Sequence, residues 1–181
     1  TTVSLLGAGM IARNLIEKLA AFDLKVLVFD PFLSAGEAAR LGVEKVELPE
    51  AFARGDVVSN HVANVPATVN LIRAEHLRAM PHDATFINTG RGTTVCEPDL
   101  IDVMHERPDL TALLDVTEPE PPAAGSPLYT LPNVWLSSHI AGAIGNETHR
   151  LADWMIDEFV AWRSSQPTRF RITSDMMERL A

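Results

Sequence analysis

Cysteine is almost absent from this sequence of 181 residues, in which Cys96 is the single example. One cysteine excludes an internal disulfide framework and a cysteine zinc site, and it suits a reducing cytosol. Positive charge is also scarce, because 15 lysines and arginines face 24 aspartates and glutamates, for a formal net charge of -9. Nucleic acids and anionic membranes attract positive surfaces, so this balance argues against both as partners.

Long apolar runs are missing as well, and no stretch approaches the roughly 20 residues that a transmembrane helix requires. The composition, 46% hydrophobic and 22% charged, is typical of a globular domain with one core. We therefore expect a cytoplasmic location. Because the sequence starts on an apolar strand pattern and not on methionine, we also expect a further segment to precede it in the complete protein.

What the chain does contain is a glycine turn between a strand and a helix near its start. The segment Thr2–Ala12, TVSLLGAGMIA, passes from an apolar run directly into a helical pattern. Gly7 permits a tight turn, Gly9 lets a ligand approach the backbone, and the small Ala12 allows close packing of helix on strand. The helix N-terminus carries partial positive charge and free N–H groups, so it favours a pyrophosphate. A plain strand–turn–helix explains the glycines alone equally well.

An acidic residue at the end of the second strand strengthens the interpretation of the glycine turn as a dinucleotide site. Asp30 lies 21 residues after Gly9 and can accept hydrogen bonds from a ribose diol. A carboxylate there favours NAD over NADP, since a 2′-phosphate would meet like charge. Taken together, these features predict a dinucleotide site with NAD as the cofactor.

Strand and helix patterns alternate along the rest of the chain. We expect strands near 43–48, 56–60, 84–88, 110–115 and 134–137, and helices near 34–41, 49–54, 97–106 and 146–162, with 68–80 helical in two pieces. This alternation predicts an α/β domain with a Rossmann-type doubly wound parallel sheet and helices on both faces. The last helix carries an apolar stripe that is expected to cover neighbouring surface.

Five polar residues each follow the carboxyl end of an apolar strand: Asp30, His61, Arg91, Asp115 and His139. Open α/β sheets bind their ligands at that edge, so the five together predict a cleft. Arg91 stands between two glycines and suits a bidentate grip on a carboxylate, although a surface loop arginine is the simpler interpretation. His139 suits a general acid or base because histidine titrates near neutrality; a helix-capping or core histidine is equally compatible.

Several separated segments, in this order, resemble the cofactor-binding domain of the D-isomer-specific 2-hydroxyacid dehydrogenases over nearly the whole chain. The matching segments are GAGMIA (7–12), FDPF (29–32), VVSNHV (57–62), INTGRGTTV (87–95), LLDVTEPEP (113–121) and LPNVWLSSHIAG (131–142). The resemblance implies hydride transfer between C4 of nicotinamide and C2 of a 2-hydroxy or 2-keto acid. It also implies that residues 1–163 are the NAD-binding domain and that the tail, 164–181, returns to a substrate domain whose N-terminal part is absent here.

The resemblance assigns roles to individual residues. Arg91 would bind the substrate carboxylate and carbonyl, and His139 would give or take the hydroxyl proton. Glu120, five residues after Asp115, would pair with the histidine, whereas the residues alone leave Glu118 equally open. Asp115 would bond the nicotinamide carboxamide. The predicted cofactor-binding residues are Gly7, Gly9, Met10, Ile11, Asp30, His61, Thr89, Gly90, Asp115, His139 and Gly142. No metal site is expected.

One alternative stays open beside the dehydrogenase, an NAD-sensing binding module, and a second, a formate dehydrogenase relative, is disfavoured. Related corepressors share this fold as NAD-sensing binding modules and keep the same three polar residues, whereas formate dehydrogenases resemble the pattern with glutamine where Glu120 stands. Ala63 occupies a position that is often proline in the family, which puts nucleotide affinity in question. The family also implies a homodimer through this domain, for which Trp154, Met155 and Trp162 would suit an interface, although core packing explains them equally well.

Overall fold

Seven parallel strands form one sheet in the computed structural model, which describes residues 1–176. The strands are β1 (Thr2–Leu6), β2 (Lys25–Phe29), β3 (Glu44–Lys45), β4 (Val57–Asn60), β5 (Thr85–Asn88), β6 (Thr111–Leu114) and β7 (Val134–Leu136). Their spatial order is β3-β2-β1-β4-β5-β6-β7, and every neighbouring pair is parallel. The chain winds outward from β1 in one direction and from β4 in the other, so a crevice opens at the carboxyl ends of these two strands. The predicted doubly wound, Rossmann-type sheet is confirmed.

Six α-helices connect or follow the strands within the described residues. They are α1 (Met10–Leu19), α2 (Ala35–Leu41), α3 (Leu48–Arg54), α4 (Ala74–Arg78), α5 (Glu97–Glu106) and α6 (Glu147–Arg163). Short 3-10 turns lie at Pro66–Thr68, Gly92–Thr94, Pro127–Tyr129 and Ser174–Met176. Helix α2 shows how local sequence sets these bounds: Ser34 and Glu37 form a reciprocal capping box at its start, and Gly42 ends it with φ of +70°.

The core is divided into two apolar clusters by the sheet. On one face, Leu5 and Val28 pack with Ile16 of α1 and Ala38 of α2. On the other, helices α3, α4 and α5 enclose a larger cluster that includes Phe52, whose ring stacks 6.1 Å from that of Phe86. Because successive strand residues point to opposite faces, the strands contribute side chains to both clusters. The prediction of helices on both faces of the sheet is confirmed.

Two predicted elements are wrong in extent. The strand expected over 43–48 is reduced to Glu44–Lys45, because α3 begins at Leu48 with Pro49 in its first turn. Of the helical stretch expected over 68–80, only Ala74–Arg78 is α-helical. The segment before it instead runs beside residues 93–95, where Ile72 forms a parallel bridge with Val95. Backbone hydrogen bonds to a distant segment therefore override the local helical pattern.

The apolar stripe of α6 does not cover the described part of the fold, so that expectation is wrong for residues 1–176. Leu151, Met155, Phe159 and Trp162 are 47–68% exposed. The start of the tail does fold back on this helix, since Glu158 accepts hydrogen bonds from the backbone N–H groups of residues 169 and 170. The rest of the tail, 177–181, lies outside the described residues. Within residues 1–176, no helix combines the length and apolar character needed to cross a membrane.

Candidate functional site

The glycine turn after β1 presses directly on the end of β4. Gly7 adopts φ of +95°, which L side chains rarely tolerate, and its N–H donates to the Phe29 carbonyl oxygen (2.7 Å). A Cβ at Gly7 would lie 2.7 Å from the carbonyl oxygen of His61. Glycine is therefore required here both by conformation and by space.

Gly9 meets the opposite condition, because the space where its Cβ would lie is open. It is the N-cap of α1, and an added Cβ would find nothing within 4 Å among the described residues. Met10 and Ile11, in the first helical turn, are 69% and 68% exposed. The helix N-terminus and its backbone N–H groups thus face an open crevice, which fits the pyrophosphate of a dinucleotide.

Asp30 holds its carboxylate beside that turn. Its Oδ2 accepts from the Ala8 N–H and its Oδ1 accepts from the Phe32 N–H, each at 2.7 Å. Each oxygen of an ionised carboxylate can accept more than one hydrogen bond, so the fixed group can still receive the hydroxyls of a ribose. The glycine turn and this acid together fit an NAD molecule.

His61 lies at the same place, with its ring directed toward its own strand. Its Nε2 is 2.9 Å from the Ser59 Oγ. Burial lowers the pKa of the half-buried ring, which favours the neutral imidazole. The backbone carbonyl of His61 is the group that contacts Gly7.

A buried polar network holds the loop after β5, and the sequence analysis did not find it. Asn60 Nδ2 donates to Asn88 Oδ1 (3.0 Å) and to Thr94 Oγ1 (2.8 Å). Asn88 Nδ2 and Thr94 Oγ1 in turn donate to the Arg91 carbonyl oxygen. The available signal was that two paired strands both end on asparagine, a residue depleted in strands. The network fixes the Arg91 backbone while the guanidinium stays exposed, with Nη1 donating to the Gly90 carbonyl oxygen (2.8 Å).

Asp115, which follows β6, anchors the segment after β7. Its buried carboxylate accepts from Ser137 Oγ (2.5 Å) and from the backbone N–H groups of Ile140 and Ala141, both at 2.8 Å. Burial raises the pKa of the Asp115 carboxyl, but these three hydrogen bonds outweigh it and hold the pKa below its ordinary value. The ionised side chain therefore fixes the backbone on the far side of His139, which adopts a left-handed φ of +57°.

His139 and Glu120 form a pair at the rim of the sheet. The Nδ1 of His139 lies 2.6 Å from Oε1 of Glu120, and the two side chains are 48% and 41% exposed. A carboxylate on Nδ1 selects the tautomer with its proton there and leaves Nε2 to exchange a proton with a ligand. The partner is Glu120; the neighbouring Glu118 uses its backbone N–H in a bond to Glu97.

The carboxyl edge of the sheet thus carries all the predicted site residues, with Thr89 and Gly90 at the end of β5 and Gly142 just past the His139 segment. Among residues 1–176, no cluster of histidine, cysteine and acidic side chains could hold a metal ion. A dinucleotide crevice, an exposed arginine and a histidine–carboxylate pair along one edge can together support hydride and proton transfer to a carboxylate-bearing ligand.

Comparison with known protein families identifies the family of this chain. Residues 1–141 match the family model described as the D-isomer specific 2-hydroxyacid dehydrogenase, NAD binding domain. The chain belongs to this family. This 2-hydroxyacid dehydrogenase domain is 32% identical over 169 residues to a glycerate dehydrogenase of Methylorubrum extorquens, covering 92% of this chain and 51% of the relative.

Solved structures give the same result for the fold. The TT0316 protein from Thermus thermophilus superposes with a TM-score of 0.79 at 30% identity, covering 95% of this chain and 53% of that one. A D-isomer specific 2-hydroxyacid dehydrogenase from Xanthobacter autotrophicus Py2, solved with NADPH and MES, has a TM-score of 0.78 at 28% identity, covering 95% and 70%. The 2-hydroxyacid dehydrogenase domain spans about half the length, or less, of the curated relatives it matches. NAD is the cofactor of this domain.

Proposed function

We propose that residues 1–163 are the NAD-binding domain of an oxidoreductase that transfers a hydride between NAD(H) and a D-2-hydroxy acid or 2-keto acid. We further propose that residues 164–181 return to a substrate domain of the longer protein. The observation that carries the proposal is the His139–Glu120 pair at 2.6 Å, on the same edge of the sheet as the glycine turn and the exposed Arg91. NAD-sensing corepressors of this fold keep the same three polar residues, so turnover is the property that separates the proposed enzyme from such a module.

The proposed reaction divides its work among three side chains. Arg91 grips the substrate carboxylate through its planar fork and polarises the C2 carbonyl. His139 gives the carbonyl oxygen a proton from Nε2 during reduction and takes it back during oxidation, while Glu120 on Nδ1 stabilises the imidazolium. A bound nicotinamide supplies or accepts the hydride at C2.

The binding roles follow the crevice. Gly7, Gly9, Met10 and Ile11 form the turn that receives the pyrophosphate at the N-terminus of α1. Asp30 accepts from the adenosine ribose, and its negative charge favours NAD over NADP. We assign the carboxamide end of the cofactor to Asp115, with Thr89, Gly90 and Gly142, because these residues follow the carboxyl ends of β6, β5 and β7.

The decisive test measures NADH oxidation by the full-length protein against a panel of 2-keto acids, including glyoxylate and hydroxypyruvate. The 181-residue chain serves as the matched control, since it carries the three polar residues and spans about half the length of its relatives. We expect turnover by the long form alone. Tight NADH binding without turnover by either form would contradict the proposal and favour a nucleotide-sensing module.

We also propose a cytoplasmic homodimer. The support is the single cysteine, and the exposed apolar stripe of α6, in which Trp154, Met155 and Trp162 are 39–68% exposed. Light scattering of the full-length protein checks the association, with Trp162→Glu expected to raise the dissociation constant. A monomer at high concentration would contradict the dimer.

A further inference from the structure

The loop that carries Arg91 and the loop that carries Glu120 touch backbone to backbone. Gly92, directly after Arg91, is buried against Thr117, and a Cβ at Gly92 would lie 2.0 Å from the Thr117 carbonyl oxygen. A gap of that size admits no side chain at all. The position of residue 117 is therefore set by the loop after β5 as well as by β6, which ends three residues before it.

A second contact follows one residue later. Glu97, the first residue of α5, accepts a hydrogen bond from the Glu118 N–H on its Oε2 (3.1 Å). Thr117 Oγ1 donates to the Pro119 carbonyl oxygen (2.8 Å), which ties the same segment once more. The backbone is thus held at several points up to the residue that precedes Glu120.

The Glu97 carboxylate lies in the first turn of α5, is partly buried, and is close to the charge of Glu118. Burial raises the pKa of the Glu97 carboxyl, the hydrogen bond from Glu118 lowers it, and the charge of the Glu118 side chain raises it further. A partly buried carboxylate beside a second carboxylate carries a desolvation cost.

We propose that Glu97 is a positioning residue which, with Gly92, fixes the loop of Glu120 and thereby holds Glu120 on Nδ1 of His139. The inference rests on the proposed hydride transfer, and it adds that the arginine loop and the carboxylate loop act as one rigid unit. Small displacements of a catalytic group lower the rate steeply. The contacts of Glu97 and Gly92 with the Glu120 loop should therefore affect turnover more than nucleotide binding.

The test compares three variants of the full-length protein. Glu97→Ala removes the acceptor, Glu97→Gln keeps an amide oxygen for the Glu118 N–H, and Asp99→Ala is the matched control. Asp99 lies in the same first turn of α5 and accepts the same kind of bond on its Oδ2, from the Ala74 N–H (3.0 Å), but away from the site. Glu97→Ala is expected to lower kcat by roughly tenfold with KM for NADH unchanged, while Glu97→Gln and Asp99→Ala retain kcat.

A second readout needs no turnover. Diethylpyrocarbonate modifies unprotonated histidine, and peptide mass spectrometry follows each histidine of the chain separately. We expect His139 to react severalfold faster at neutral pH in Glu97→Ala than in the wild-type protein. The reason is that Glu120 would no longer be hydrogen-bonded to Nδ1 of the ring, which leaves the ring open to the reagent. His149 on the exposed α6 is the internal reference, and its rate should not change.

The two readouts separate this inference from the proposed function. Absence of turnover in the unmodified full-length protein would refute the dehydrogenase, yet the His139 modification rates would still test the role of Glu97. Equal loss of kcat in Glu97→Ala and Asp99→Ala, or an unchanged His139 rate in Glu97→Ala, would overturn the positioning role.

Discussion

The two halves of the ligand-binding edge hold their polar groups in different ways. In the cofactor half, Asp30 is fixed by two backbone N–H groups, and Gly7 is pressed against the carbonyl of His61. In the other half, Arg91, Glu120 and His139 are exposed at the tips of loops whose backbones are braced below. In the cofactor half the polar groups are fixed by backbone contacts, whereas in the other half the polar side chains are exposed to solvent.

This difference has a physical meaning. Charge pairs in water are weakened by solvent screening, and the same pair gains strength when a second surface excludes water. The exposed half therefore gains most from a covering domain, while the cofactor half already has the geometry to bind. Changes at the exposed Arg91, Glu120 and His139 side chains should affect chemistry more than nucleotide binding, and changes in the cofactor half should do the reverse.

The sharpest separation is expected at His139. His139→Ala should lower kcat of the full-length protein by about 10²- to 10⁴-fold, the usual loss when a general acid is removed. The fluorescence change on NADH binding and the thermal midpoint should persist, because the side chain is about half exposed. His149→Ala on α6 is the control and should keep full activity. An equal loss of NADH binding would make His139 a structural residue.

Arg91 should give the next largest effect. Arg91→Ala is expected to lower kcat by about 10²- to 10³-fold, because it removes the charge that polarises the substrate carbonyl. Steady-state kinetics with a 2-keto acid measure kcat, and titration with NADH measures nucleotide binding by the same variant. Arg91→Lys keeps the charge without the planar fork and should recover only part of the rate. A wild-type rate in Arg91→Ala would remove this residue from the mechanism.

Asp115 differs from Arg91 and His139 because it is buried and holds backbone groups, although it lies in the same half of the edge. Its substitution should therefore lower stability. Asp115→Ala leaves two backbone N–H groups without their acceptor and should lower the free energy of unfolding by about 2–3 kcal/mol. Since folding lowers the pKa of this carboxyl below its ordinary 3.8, its stabilisation is present above that pH and is lost as pH falls through the lower, folded value.

Thermal denaturation as a function of pH checks this sign. The unmodified chain should lose stability below about pH 4 more steeply than Asp115→Asn, which has no charge to lose. Parallel acid profiles for the two proteins would show that Asp115 does not contribute through its ionised form.

The smallest effect is expected in the cofactor half. Asp30→Ala should raise the dissociation constant of NADH by about tenfold, close to the value of one hydrogen bond to a charged group, with kcat at saturating NADH unchanged. NADPH titration of the same variant sharpens the test, since removing the negative charge should reduce discrimination against the 2′-phosphate. Unchanged NADH affinity would place the ribose elsewhere.

Much of the fold follows from local patterns in the chain. The strand–glycine–helix passage at 2–12, the acid at Asp30 and helix α5 over 97–106 are all found where the periodicity and turn residues predict them. These signals are local, because a glycine turn or a capped helix is specified within a few residues. The same holds for the polar residues at strand ends, since a parallel sheet brings those ends together whatever its details.

The wrong helix prediction over 68–80 depended on distant contacts. The stretch 70–72 takes its hydrogen bonds from residues 93–95 and not from its own turns. The network of Asn60, Asn88 and Thr94 joins separate segments of the chain. Its signal in the sequence is an asparagine at the end of each of two strands, and this signal does not state that the two side chains meet.

By itself, the sequence determined the alternation of elements, the glycine turn with its acid, and the order of polar residues along one edge, because each depends on near neighbours in the chain. Only the tertiary structure decided that Asp115 anchors the segment of His139, that Glu97 reaches the loop of Glu120, and that the stripe of α6 stays exposed within the described residues. Periodicity states which face of a helix is apolar, but what lies against that face depends on residues far away in the sequence or on another surface.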